Sequence, residues 1–132
     1  DARMAQPPNR PRPKNLDLTT IRLPLPGKVS ILHRVSGAGL FLFLPALLWA
    51  FQCSLNSPDT FAGFKSLAAH PLAKLILGGL IWAYLHHFCA GIRFLLLDLH
   101  IGIDKEVAVK SSVAVLVVSL ALTVLIVWRV LL

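Results

Sequence analysis

The residues able to do chemistry fall in two short stretches. The first is "IWAYLHHFCAGIRFLLLD" over residues 81–98, where His86 and His87 stand adjacent in an apolar run. At 1.5 Å of rise per residue they lie roughly 16–18 Å from Asp98 along a helix, too far for that carboxylate to complete a metal site. Helical spacing separates the two histidines. Gly79, Ala83, His87 and Gly91 recur every fourth residue and share one stripe, so His87 is the single bulky side chain on a face of small ones. Such a face suits a closely packed neighbouring helix. It equally suits a large planar ligand held through the ring nitrogen, and haem, whose iron is commonly held by an axial histidine, is the obvious one. His86 projects about 100° away, beside Trp82 and Ala90, and reads as a histidine hydrogen-bonded to another helix; a proton relay through either histidine stays open. No C-x-x-C-H occurs, which excludes covalent c-type haem, and Cys53 and Cys89 have no spacing that suggests a metal site.

The second stretch is "SILHRVSG" over residues 30–37. Ser30, His33 and Arg34 stand at i, i+3 and i+4 and are expected to share one helical face. The simple reading is a basic anchor at a membrane edge, with Arg34 snorkelling to water. That accounts for Arg34 and leaves Ser30 and His33 to chance. The chemical reading is a site for an amphipathic ligand. A quinone fits, since its carbonyl oxygens accept hydrogen bonds and its reduced form needs protons. Haem propionates would also suit His33 and Arg34. His33 is expected at a different depth from His87, better placed for a propionate than for iron. A six-coordinate haem needs two axial ligands, so the second should come from another chain.

The elements that position these residues follow from composition. The chain has 132 residues, 56% of them hydrophobic and 14% charged, well below the ~25% charge usual for soluble domains. Residues 35–58, 75–92 and 111–128 contain no Asp, Glu, Lys or Arg. Each is near the roughly 20 residues a helix needs to cross the hydrocarbon core, and backbone groups in lipid must be satisfied internally. The expected fold is therefore all-α, an integral membrane protein with three transmembrane helices over about 29–53, 71–98 and 109–130, part of a haem-binding bundle. Residues 1–28 read as a basic, Pro-rich arm and 29–132 as the anchor domain. Seven of the 13 Lys and Arg fall at or before Arg34, which the positive-inside rule explains without nucleic acid and which puts the N-terminus in the cytoplasm. Leu16, Leu18, Ile21, Leu23 and Leu25 could lie in the interface, with Pro24, Pro26 and Gly27 expected to stop a helix from running into the first span. Residues 54–69 read as a turn-rich outer loop with Asn56 or Ser57 as a cap, and Pro45 as a tolerated kink.

Taken together, "RPKNLDL" (12–18), "SILHRVSG" (30–37) and "HFCAGIRFLLLD" (87–98) resemble the cytochrome b large membrane-anchor subunit of succinate dehydrogenase, respiratory complex II. The resemblance covers residues 12–130. It implies that His87 is an axial haem b ligand, that Ser30 and Arg34 line the ubiquinone site, and that His33 lies by the propionates; the stripe of small residues puts Gly91 in the same pocket and assigns Gly79 and Ala83 to packing. A histidine follows "GIR" in the relatives; Phe94 stands there in this chain and offers no second propionate contact. The family further implies one haem b shared with a small anchor subunit that supplies the other axial histidine, plus iron–sulfur and flavoprotein subunits, with no catalysis by this chain alone.

Other readings are a haem-free structural anchor of the same type of complex, a fumarate reductase anchor, and a small transport or proton-relay subunit using His86 and His87. A bacterial cytoplasmic membrane is the expected location, ahead of the mitochondrial inner membrane.

Overall fold

In the computed structural model, residues 11, 14, 17 and 19–132 are described; Arg3, Arg10, Arg12, Leu16 and Leu18 of the basic arm lie outside them. The chain forms α1 (Leu25–Asn56), α2 (Pro58–Ala69), α3 (Pro71–Asp98) and α4 (Lys105–Val130), with no strand among the described residues. Three of the four, α1, α3 and α4, are long and apolar enough to cross a membrane.

Each boundary has a local cause. Asp17 closes the turn before α1 by accepting from the Thr19 hydroxyl at 2.6 Å and the Thr19 N–H at 3.0 Å. These bonds, the hydroxyl's first, hold its carboxyl below the usual range. Helix α1 then starts at Leu25, four residues earlier than the expected span. Pro26 and Gly27 lie inside it, so they do not stop the helix as expected. Proline in a first turn loses no hydrogen bond, because those N–H groups have no intrahelical partner anyway. Pro45 is carried within the continuous helix.

The outer loop of the sequence reading is instead a helix. Ser57 accepts from the Thr60 N–H at 3.1 Å while the Ser57 N–H donates to the Thr60 hydroxyl at 3.0 Å. Pro58 stands at the first position and Asp59 in the first turn. "SPD" is a turn signal, but it is also a helix start when a reciprocal cap follows. Helix α3 ends as expected, and its last turn is closed by Ile101 N–H on the Leu96 carbonyl and His100 N–H on that of Leu97, both 2.9 Å. His100 takes the left-handed conformation, φ 60°, that this closure requires. The connection is shorter than expected, because α4 begins at Lys105 rather than 109.

Helices α1 and α3 pack antiparallel, as do α3 and α4; α2 lies against α1 and α3. The inside and outside are inverted relative to an aqueous domain. The buried apolar residues are Val29, Ala90 and Val115, while Ser36, His86, Arg93, Ser112 and Ser119 are also buried. Phe41, Leu42, Leu75 and Val124 stand largely exposed. Without a hydrophobic drive between helices in lipid, contact is made through small and polar side chains. The α4 hydroxyls fit this role: Ser112 donates to the Ala108 carbonyl at 2.8 Å and Ser119 to that of Leu116 at 3.1 Å, so each is satisfied within its own helix and packs as a small residue.

Candidate functional site

The site forms where the first third of α1 crosses the second half of α3. His33 and His87 stack face to face, with ring centroids 4.2 Å apart and planes 5° from parallel. They are therefore level, not at different depths as the sequence suggested; the antiparallel crossing brings the two positions together. Phe94 also packs against His33, with ring centroids 5.0 Å apart and planes tilted by 53°. Stacked rings cannot bind one iron from opposite sides, so His33 is not a second axial ligand to a metal on His87.

One nitrogen of His87 is committed. Its Nδ1 lies 3.0 Å from the His33 backbone carbonyl and 3.4 Å from the Ser36 hydroxyl. A carbonyl only accepts, so Nδ1 carries the proton and donates. The Ser36 hydroxyl donates to the same carbonyl at 2.9 Å. The neutral ring then presents an unprotonated Nε2, the atom a metal would take. Metal-binding histidines are characteristically oriented in this way, by a second bond from the other nitrogen to a carbonyl or carboxylate. Haem therefore fits the donor set on the side of this chain: one imidazole with a free Nε2 and a locked partner nitrogen. No group of three or more His, Cys, Asp or Glu gathers among the described residues, so a simple metal site has no ligand set here.

Gly37 seats the ring. A Cβ there would stand 2.7 Å from His87 Cε1 and 3.1 Å from Nδ1, distances that no packed side chain tolerates. Gly37→Ala is expected to push the ring off the His33 carbonyl and to cost about 1–3 kcal/mol of overpacking. Thermal denaturation of the assembled complex, read beside its visible spectrum, checks both. Ser36 and Gly37 complete the stretch already singled out in the sequence, at i+3 and i+4 from His33. Their spacing was the available signal.

The predicted stripe divides in two. Gly91 faces His33, whose Nε2 would lie 3.7 Å from a Cβ at that position, whereas a Cβ at Gly79 would have open space beside it. Ala83 is half-buried. Ser30 is half-buried and Arg34 exposed, on the strip of α1 next to His33. Neither side chain makes a hydrogen bond or ion pair with the described residues, so both are available to a ligand or a partner.

His86 is fully buried, about 100° around α3 from His87, with Trp82 tilted against it at 5.2 Å. It was expected to bond to another helix. Both its nitrogens and Trp82 Nε1 lack a partner, the Val29 carbonyl being near but short of bonding geometry. Arg93, 6% exposed, also went unremarked as a site residue; its Nε donates to the Ser111 hydroxyl at 2.8 Å and ties α3 to α4.

Comparison with known proteins now decides the family. The profile of the "Succinate dehydrogenase/Fumarate reductase transmembrane subunit" family matches residues 8–126. The chain belongs to this family. Among its relatives, the succinate dehydrogenase cytochrome b556 subunit of Paracoccus denitrificans is 35% identical over 114 residues, 86% of this chain and 88% of that protein. The subunit of the same name from Coxiella burnetii is 36% identical over 118 residues, 89% of this chain and 94% of that one. That of Rickettsia typhi is 30% identical over 114 residues. The match takes in all of α1, α2 and α3. Membership in a transmembrane family and three long apolar helices together make this a multi-pass membrane protein.

Proposed function

We propose that this chain is the cytochrome b anchor of a succinate:ubiquinone oxidoreductase in a bacterial cytoplasmic membrane, holding flavoprotein and iron–sulfur subunits there. In this reading it shares one haem b with a small anchor subunit and forms part of the ubiquinone-reduction site. The observation that carries it is the locked His87 ring, with Nδ1 on the His33 carbonyl and Nε2 free. His87 would hold the haem iron from this side through Nε2, and a histidine of the small anchor subunit would hold it from the other. When bound, the haem supplies a one-electron carrier. Gly37 and the His33 carbonyl keep the ring from rotating, so that the Nε2 lone pair stays presented.

Ser30 and Arg34 act on the quinone. The Ser30 hydroxyl donates to a carbonyl oxygen. The Arg34 guanidinium, charged at every physiological pH, favours negative charge as it builds on that oxygen. His33, stacked on His87 with Phe94 tilted against it, serves a propionate.

A visible spectrum of the purified, reduced complex tests this reading. A b-type band is expected; quinone reductase activity without one would favour a haem-free anchor. Orientation is tested separately. Impermeant thiol labelling from outside the cell should reach a cysteine placed at Ser57 and miss one at Thr19, the two native cysteines first being replaced. The reverse pattern would put the quinone site on the outer face.

A further inference from the structure

We propose that the end of the bundle remote from the N-terminal arm holds one diacyl anionic phospholipid, its phosphate on Lys74 and Lys65 and an acyl chain in each of two grooves flanking Lys74. The first groove, about 510 Å³, runs between the end of α2, the start of α3 and the end of α4, walled by Phe64, Ala68, Leu77, Ile81 and Val130. The second, about 440 Å³, runs between α3 and α4 over Leu75, Gly78, Gly79, Thr123 and Val127. Lys74 and Leu131 line both, so the two channels diverge from one cation, as two acyl chains diverge from one headgroup. Lys65 borders the first.

Charge identifies the headgroup. No Asp or Glu lines either groove, and among the described residues the ion pair present is Lys110 with Glu106, at the other end of α4. Lys65 has the face of Phe61 at 5.7 Å and no anion. Lys74 is half-buried against apolar walls. An ammonium in that setting gains most from an anion that brings its own hydrocarbon, and basic pockets between membrane helices bind acidic lipids for this reason. Placement adds to the argument. With the N-terminus inside, Lys65 and Lys74 lie on the outer side, where the positive-inside rule disfavours them, so topology alone gives no reason for the pair. The glycines give the second groove its depth: a Cβ at Gly79 would meet nothing within 4 Å.

The inference stands apart from the haem and quinone assignments and is tested on the whole complex. Wild type, Lys65→Gln/Lys74→Gln and Gly79→Phe complexes are moved into nanodiscs of phosphatidylcholine containing a minor fraction of phosphatidylglycerol, then released and weighed by native mass spectrometry. Wild type is expected to retain phosphatidylglycerol, with affinity about 30-fold higher than the double variant. Gly79→Phe, which keeps both lysines and fills the second groove, is expected to lose it too. Equal retention by all three complexes, or phosphatidylcholine retained as well as phosphatidylglycerol, overturns the proposal. So does a photo-crosslinker at Leu131 that captures a partner subunit in place of lipid.

Discussion

Complexes carrying Arg34→Ala or Ser30→Ala are expected to assemble normally and to reduce ubiquinone some 10²–10³-fold more slowly than wild type. The figure is the usual effect of removing one positioned donor from a developing oxyanion, about 2.7–4 kcal/mol. Arg34 is exposed and Ser30 half-buried, and neither is tied to another side chain among the described residues, so truncation should leave the packing untouched. Succinate oxidation with an artificial acceptor that takes electrons upstream of the membrane should be unaffected. That contrast separates a defect at the quinone from a defect of assembly. Arg34→Lys should restore part of the rate, because a point charge remains while the planar fork is lost. Assembled Ser30→Ala and Arg34→Ala complexes that turn over ubiquinone at the normal rate would leave membrane anchoring as a sufficient reason for both residues.

The second large effect is at His87. His87→Ala removes the imidazole in the α1–α3 crossing whose Nδ1 is fixed on the His33 carbonyl and whose Nε2 is free, and it should abolish the low-spin b-type spectrum or the haem altogether. His86→Leu is the internal control. It is adjacent in sequence and fully buried, but its nitrogens meet no partner. An apolar side chain there leaves no polar group stranded, and the spectrum should change little. Ser36→Ala should fall between the two: the ring keeps its carbonyl and loses the hydroxyl at 3.4 Å, so a modest change in midpoint potential is expected with the haem retained. Identical spectra for wild type and His87→Ala would remove the assignment.

What the sequence disclosed and what it hid divide along physical lines. The three spans were legible because charge-free runs of that length have one stable solution in lipid. Helix α2 was hidden because Ser57, Pro58 and Asp59 belong both to turns and to helix starts, and only the reciprocal bond with Thr60 distinguishes them. Helical geometry gives the two adjacent histidines different neighbours, Trp82 for His86 and His33 for His87. The relative depth of His33 and His87 was not legible: it depends on how α1 crosses α3, and that crossing is set by the fit of Gly37 against His87 and of Gly91 against His33, contacts between residues 50 or more apart. What covers Gly79 was not legible for the same reason. Periodicity gives a face and does not say which helix, if any, covers it.

Helix α1 has 32 residues, about 48 Å at 1.5 Å per residue, against a hydrocarbon core of ~30 Å. A tilt of about 40°, the upper end of what membrane helices adopt, absorbs only about 39 Å. The surplus must leave the oil at the ends. Shared evenly in an upright helix, it extends about 9 Å beyond each boundary. Ser30, five residues after Leu25 and hence about 7.5 Å along, then stands in the hydrated headgroup layer, and Arg34, at about 13.5 Å, just inside the hydrocarbon. The pair straddles the waterline. At the proposed site, a quinone reaching Arg34 would keep its tail dissolved, while the oxygen facing Ser30 would meet bulk protons directly. Reduction there calls for no buried proton wire through the bundle, and the length of one helix is enough to arrange it.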